Sequence, residues 1–216
     1  KFYELKNENL TPVIFVVILF TGFSGTIVSD MLAESVYLNV LYNAISFIVL
    51  NLASTVYLEA YLKELKGEVC PFKSCINHVL GKFYKIIIAY VAFVAIIITG
   101  LFLLIIPGIV FYFMFMFNIC YILDKNIGVI EAFNTSRNLS YGRKMEIFAI
   151  YVVFNLTLFF PLLLIFIIAT YTTNNLMFSF IISFITSVLT IMQQRLVAML
   201  YTDLEYGISN VRRNDE

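Results

Sequence analysis

Residues 86–123 read IIIAYVAFVAIIITGLFLLIIPGIVFYFMFMFNICYIL and decide how this chain folds. The stretch lies between Lys85 and Asp124 and contains no Asp, Glu, Lys, Arg or His. One helical crossing of a bilayer takes about 20 apolar residues, so there is room here for two crossings and a turn, with no slack. The turn falls at Ile105-Ile-Pro-Gly108. Pro107 is expected to stop the incoming helix and Gly108 to permit a tight reversal at the outer headgroup boundary.

A second interval without Asp, Glu, Lys, Arg or His runs from 147 to 194, between Glu146 and Arg195, and is also long enough for two crossings. With a hairpin ahead of Lys63, the chain is predicted to cross six times, at about 11–28, 36–62, 83–104, 109–123, 146–169 and 177–201. Gly22 and Gly25 in the first span would let helices approach closely. An even number of crossings returns both termini to one side. All 14 Lys and Arg residues map there, and the other side holds only Asp30 and Glu34. Basic residues mark the cytoplasmic face, so both termini are expected in the cytoplasm and the protein in a bacterial inner membrane. The first apolar run begins near Pro12 without a basic leader or small-residue cleavage site, so no cleavable signal peptide is expected. The chain opens on Lys1 rather than Met, so residues ahead of it are expected.

The composition agrees with one membrane domain over 1–216. It is 61% hydrophobic and 13% charged, with a mean hydropathy of +0.92, against roughly 25% charged in soluble proteins. A formal net charge of zero gives no support for nucleic-acid binding. Cys70, Cys75 and Cys120 map to the cytoplasmic half, where disulfides are rare. Trp is absent and Tyr61, Tyr121 and Tyr201 stand at the cytoplasmic exits, each with an acid just beyond: Glu64, Asp124 and Asp203.

Two cytoplasmic segments read as interfacial helices. Phe72, Cys75, Ile76, Val79 and Leu80 form an apolar stripe opposite Lys73, Ser74, Asn77 and His78. The second segment, 129–141, carries Ile130 and Phe133 and a row of small residues, Ala132, Ser136 and Ser140. The two segments and the spans after them repeat. Phe72, Asn77, Gly81, Lys82, Ile86, Tyr90, Val91 and Phe93 recur 61 positions later as Phe133, Asn138, Gly142, Arg143, Ile147, Tyr151, Val152 and Phe154. Phe2, Asn7, Val16, Phe20 and Phe23 give a fainter third match. The fold class predicted is all-α and polytopic: three parallel hairpin units, about 1–66, 67–127 and 128–207, and a polar cytoplasmic tail over 208–216. Gly81 and Gly142, like Pro107 and Gly108, are read as turn residues.

Arg195 lies about 9 Å into the membrane from Tyr201 at helical rise. An ionisable group at such depth faces the bundle interior or water and needs a partner, and Glu59 is the candidate by depth and charge. Asn118, Asn155 and Gln194 share the inner third, with Gln193 beside them, and Asn51 continues a polar row with Asn39 and Asn43. These residues either surround a polar cavity that receives a headgroup or small anion, or serve as hydrogen-bonding glue between helices. Ser136, Arg137, Arg143 and Lys144 are candidates for holding lipid headgroups, or serve only to set topology. Cys70, Cys75 and His78 form C-x4-C-x2-H, off the usual zinc spacings and short of a fourth ligand, so no metal is expected. His78 is the only histidine, there is no phosphate-cradling loop, and only Glu59 among the acids approaches a helix interior. Neither catalysis nor a cofactor is expected.

The run Leu103-Leu-Ile-Ile-Pro-Gly108, the exit Leu123-Asp124 and the pattern Glu131-Ala-x3-Ser-x2-Leu-x2-Gly-Arg143 carry a family resemblance. This part of the chain resembles the membrane domain of glycerophosphoryl diester phosphodiesterases and the six-span bacterial inner-membrane proteins related to it. The resemblance implies the fold and a lipid context, and transfers no catalysis. The function expected is a non-catalytic module handling lipid or an anionic solute through a polar inner-leaflet cavity, as a small permease or lipid-associated accessory. The alternative is a structural or regulatory subunit that binds another membrane protein.

Overall fold

A computed structural model describes residues 10–32, 35–68, 71–170 and 175–207. Among these the chain is all-helical: α1 (Leu10–Met31), α2 (Val36–Leu65), α3 (Phe72–Gly81), α4 (Phe83–Leu103), α5 (Ile105–Phe115), α6 (Asn118–Lys125), α7 (Val129–Ser140), α8 (Lys144–Thr170) and α9 (Asn175–Tyr206). Among the described residues four stretches are long and apolar enough to cross a membrane: α2, α4, α5 with α6 (Ile105–Lys125), and Leu176–Tyr206 of α9. The chain therefore has the character of a membrane protein. The match to the start of the chain, at Phe2 and Asn7, and the polar tail lie outside the described residues.

Helices α1 and α2 pack together and both lie against α9, while α4 packs along α5 and α8 along α9. The short helix α3 sits against α2 and α4, and α7 against α5 and α6. The core is concentrated at one end of this assembly, where α2, α6 and α9 finish and α4 and α8 begin. There α2 is buried continuously from Ser54 to Leu62, and α6 from Asn118 to Leu123. A helix buried all round is enclosed by neighbours rather than facing a solvent. At the other end, the tip of the α4–α5 hairpin leaves Phe102, Leu103, Leu104, Ile105 and Ile106 exposed, Phe102 almost fully. A contiguous apolar surface of this kind suits hydrocarbon, not water.

The reversal between α4 and α5 is at Leu104, not at the expected Pro107. Leu104 alone is extended (φ −167°, ψ 151°). Pro107 lies within the first turn of α5, where its missing N–H removes no helical hydrogen bond. Gly108 is helical and buried, and its role is proximity. A Cβ there would lie 2.9 Å from the backbone nitrogen of Leu101, and one on Gly100 would lie 2.9 Å from the Gly108 Cα. Two glycines facing each other let antiparallel helices touch through a one-residue connection. Gly22 and Gly25 play no such part: a Cβ on Gly22 would meet Ser183 at an ordinary 3.6 Å, and one on Gly25 nothing within 4 Å. Gly142, between α7 and α8, has φ +81°, where glycine alone is unstrained, and Gly81 ends α3.

The crossing that the sequence presents as one helix is broken. α5 stops at Phe115 and α6 begins at Asn118. The serines of α7 fill the break. Ser136 Oγ accepts from the Phe117 N–H at 3.3 Å and donates to Met114 O at 3.0 Å, while Ser140 Oγ donates to Phe113 O at 3.1 Å. An interrupted helix is tolerated at membrane depth when a neighbour's hydroxyls satisfy the freed backbone groups.

Candidate polar cavity at the helix ends

Four elements converge where the core is densest. α2 ends at Leu65 and its last two turns carry Glu59, Leu62 and Lys63. α6 ends at Lys125 and is followed by Asn126, which takes the left-handed conformation (φ 53°) that asparagine accepts at a helix end. α3 contributes His78 and the start of α4 contributes Lys82. Together with Lys66, Glu68, Leu123 and Asp124 these residues line a cavity of about 270 Å³.

Its charged groups are largely paired. Glu59, with only 3% of its side chain exposed, accepts from Lys63 Nζ at 3.0 Å and faces His78 Nδ1 at 2.6 Å. Asp124 bonds Lys66, Tyr206 and, at 2.8 Å, Tyr201 Oη. Burial works against the Lys66 ammonium, but the bonds to Asp124 and Tyr206 outweigh it and hold its pKa above the ordinary lysine value. A neighbouring clasp ties α6 to α9, with Tyr121 Oη donating to Glu205 at 2.6 Å beside a Lys125–Glu205 ion pair. Asp124, noted in the sequence just beyond Tyr121, is thus served by Tyr201, while Tyr121 serves Glu205.

Lys82 differs from the rest. The residue is only 8% exposed, and its Nζ donates to two backbone carbonyls, Ile122 O at 3.0 Å and Leu123 O at 2.8 Å. It caps the C-terminal end of α6, where carbonyls lack helical partners and the helix dipole favours a cation. Burial pulls its pKa below the ordinary lysine value, and the nearby Glu59 charge only partly offsets this.

The residues singled out by sequence do not gather in one place. Only Glu59 lines the polar cavity, and it is paired with Lys63 and His78 rather than with Arg195. Arg195 is 7% exposed, donates from Nε to Tyr57 Oη, and lies over the rings of Tyr57 and Tyr61 at 5.7 and 5.4 Å. Asn155 accepts from Gln193 at 3.3 Å and borders a separate apolar groove of about 450 Å³, between α4, α5 and α8. Asn51 bonds its own helix at Phe47 O, and Gln194 is half-buried on α9. Asn118 is buried at the break with its Nδ2 unbonded among the described residues.

Of the headgroup candidates, Ser136 is fully buried and occupied by backbone, so it faces no headgroup in this arrangement. Arg137 and Arg143 are exposed, Arg137 beside Asn134, Asn138 and Tyr141 in a surface concavity, and Lys144 reaches Met114 Sδ at 3.8 Å. Cys75 is buried and disulfide-bonded, in the half of the chain where disulfides were expected to be rare. Cys120 is buried and free. Groups of three or more residues able to hold a metal are absent among the described residues.

No protein-family model matches this chain, and neither any curated protein nor any solved structure is significantly similar to it.

Proposed function

We propose that this chain is a six-span, non-catalytic membrane module whose polar cavity receives a lipid headgroup or a small anionic solute from the cytoplasmic side. Both termini and the helix ends around Glu59, Lys82 and Asp124 face the cytoplasm in this reading, as the distribution of Lys and Arg favours. The observation that carries it is a cavity lined by Lys63, Lys66, His78 and Lys82 together with Glu59, Glu68 and Asp124, in which the buried Lys82 has no carboxylate partner among the described residues, between helices otherwise packed by apolar and aromatic side chains. Charged groups at the edge of hydrocarbon are costly, and where they surround a space rather than only each other, a ligand site is the default reading. The resemblance of residues 103–148 to the membrane domain of glycerophosphoryl diester phosphodiesterases adds a lipid context.

Native mass spectrometry of gently extracted protein tests this. A retained lipid or anion whose occupancy falls in Lys82→Gln is the expected result. A stoichiometric protein partner without any small ligand would favour the alternative, a structural or regulatory subunit in a larger membrane complex.

A further inference from the structure

We propose that the cavity is a phosphate site centred on Lys82. This rests on the anion-receiving reading above and gives it a residue and a ligand chemistry.

An ammonium carries three donors. Ile122 O and Leu123 O take two from Lys82, and both acceptors are neutral. Among the described residues no carboxylate lies within ion-pair distance of its Nζ, whereas Glu59 already holds Lys63 and His78, and Asp124 already holds Lys66. Glu68 is exposed at the rim, where water screens it. The buried cation of the cavity is therefore the one without a bonded counter-charge. A third donor remains for something in the cavity.

The arrangement of the donors selects the anion. Lys82 comes from the start of α4 with a donor to spare, while Lys63 and Lys66 from the end of α2 and His78 from α3 line the same space with Glu59 and Asp124 as their partners, so the cavity is walled by polar groups from several directions. No arginine among the described residues lines it. Lysine ammoniums bind phosphate as compact point charges, and a tetrahedral phosphate offers oxygens in several directions to groups that converge on it from separate helices. The volume, about 270 Å³, falls just below the usual range for whole drug-sized ligands and suits a single phosphate group with its immediate ester. A lipid headgroup and a soluble phosphate monoester share that chemistry.

Amine labelling of the unmodified protein in nanodiscs, read at each lysine by peptide mass spectrometry, tests the assignment without relying on a variant that folds. Modification of Lys82 is expected to slow by about tenfold at a probe concentration ten times its Kd, with Lys125 and Lys144 unaffected. Protection by inorganic phosphate or glycerol phosphate in phosphatidylcholine discs assigns a soluble ligand. Protection appearing only when phosphatidic acid or phosphatidylglycerol is included assigns a headgroup. Protection by succinate but not by phosphate would overturn the phosphate assignment and leave the anion-receiving reading standing. No protection by any anion, or equal protection of all lysines, would overturn both. Lys82→Arg retains the positive charge and is expected to keep binding, whereas Lys82→Gln retains amide donors for the α6 carbonyls and is expected to lose it.

Discussion

Lys82 and Arg143 occupy corresponding positions in two stretches of sequence 61 residues apart, yet one is enclosed and the other stands in the open. Around them the same positions are buried: Cys75 and Ser136, Val79 and Ser140, Ile86 and Ile147, none more than 1% exposed. Tyr90 and Tyr151 likewise both reach across to a neighbouring helix, Tyr90 to Thr55 at 3.0 Å and Tyr151 to Tyr112 at 2.7 Å. What differs is the backbone that each segment meets. The start of α4 meets the C-terminal end of α6, where spare carbonyls draw a cation inward. α7 meets the gap between α5 and α6, where a spare N–H and spare carbonyls draw hydroxyls. One spacing of buried positions thus supports two chemistries, chosen by which unpaired peptide groups lie opposite.

The sharpest way to break this comparison is Ser136→Val. It strands the Phe117 N–H and weakens the bonding of Met114 O inside the break, and should cost about 3 kcal/mol. Thermal unfolding of the solubilised protein measures it, and a loss below about 1 kcal/mol would mean the break does not depend on the hydroxyl. Next, Lys82→Leu leaves the last carbonyls of α6 unsatisfied and is expected to cost about 2 kcal/mol. Its counterpart Arg143→Leu, on the exposed side of the comparison, should stay within about 0.5 kcal/mol. Equal effects would erase the distinction between the two positions.

The pH dependence sharpens the same point. Because Lys82 titrates lower when folded than when unfolded, the unfolded chain binds more protons as pH approaches the ordinary value of 10.5. Stability should therefore rise with pH over the interval just below 10.5 in the native chain, and flatten there in Lys82→Gln. Lys66 acts with opposite sign: its raised pKa contributes stability that is fully present below 10.5 and lost above it. Unfolding midpoints measured across alkaline pH separate the two. The smallest effect is expected from Tyr90→Phe and Tyr151→Phe, about 0.6 kcal/mol each, a typical value for a side-chain hydrogen bond between membrane helices. A large difference between these two would show that the two segments do not load their tyrosines alike.

The helices were legible because intervals such as 86–123 and 147–194 exclude charge, and a chain in lipid can hide its backbone only as helix or closed barrel. The amphipathic spacing of Cys75 and Val79, and of Ala132, Ser136 and Ser140, likewise pointed to the faces that α3 and α7 bury. The break after Phe115 was not legible, since neither Pro nor Gly marks it and its support comes from serines some twenty residues on. The reversal was misplaced by three residues because Pro107 can open a helix as well as close one. For the site, Glu59 was found by depth, but its pairing with Lys63 and His78 depends on where α3 docks. Lys82 was passed over because a basic residue ahead of a span reads as a topology signal. Only the carbonyl end of α6, forty residues later, shows why it turns inward.

The hairpin of α4, α5 and α6 is latched twice, at its tip by Gly100 against Gly108 and at its foot by Lys82 on the α6 carbonyls. A strut fastened at both ends cannot slide as a whole along its neighbour without releasing one fastening. Between them, the stretch from Phe115 to Asn118 is held by two serine hydroxyls of α7 rather than by a helical ladder. The two fastenings and the serine-filled gap between them therefore set the length of the hairpin together.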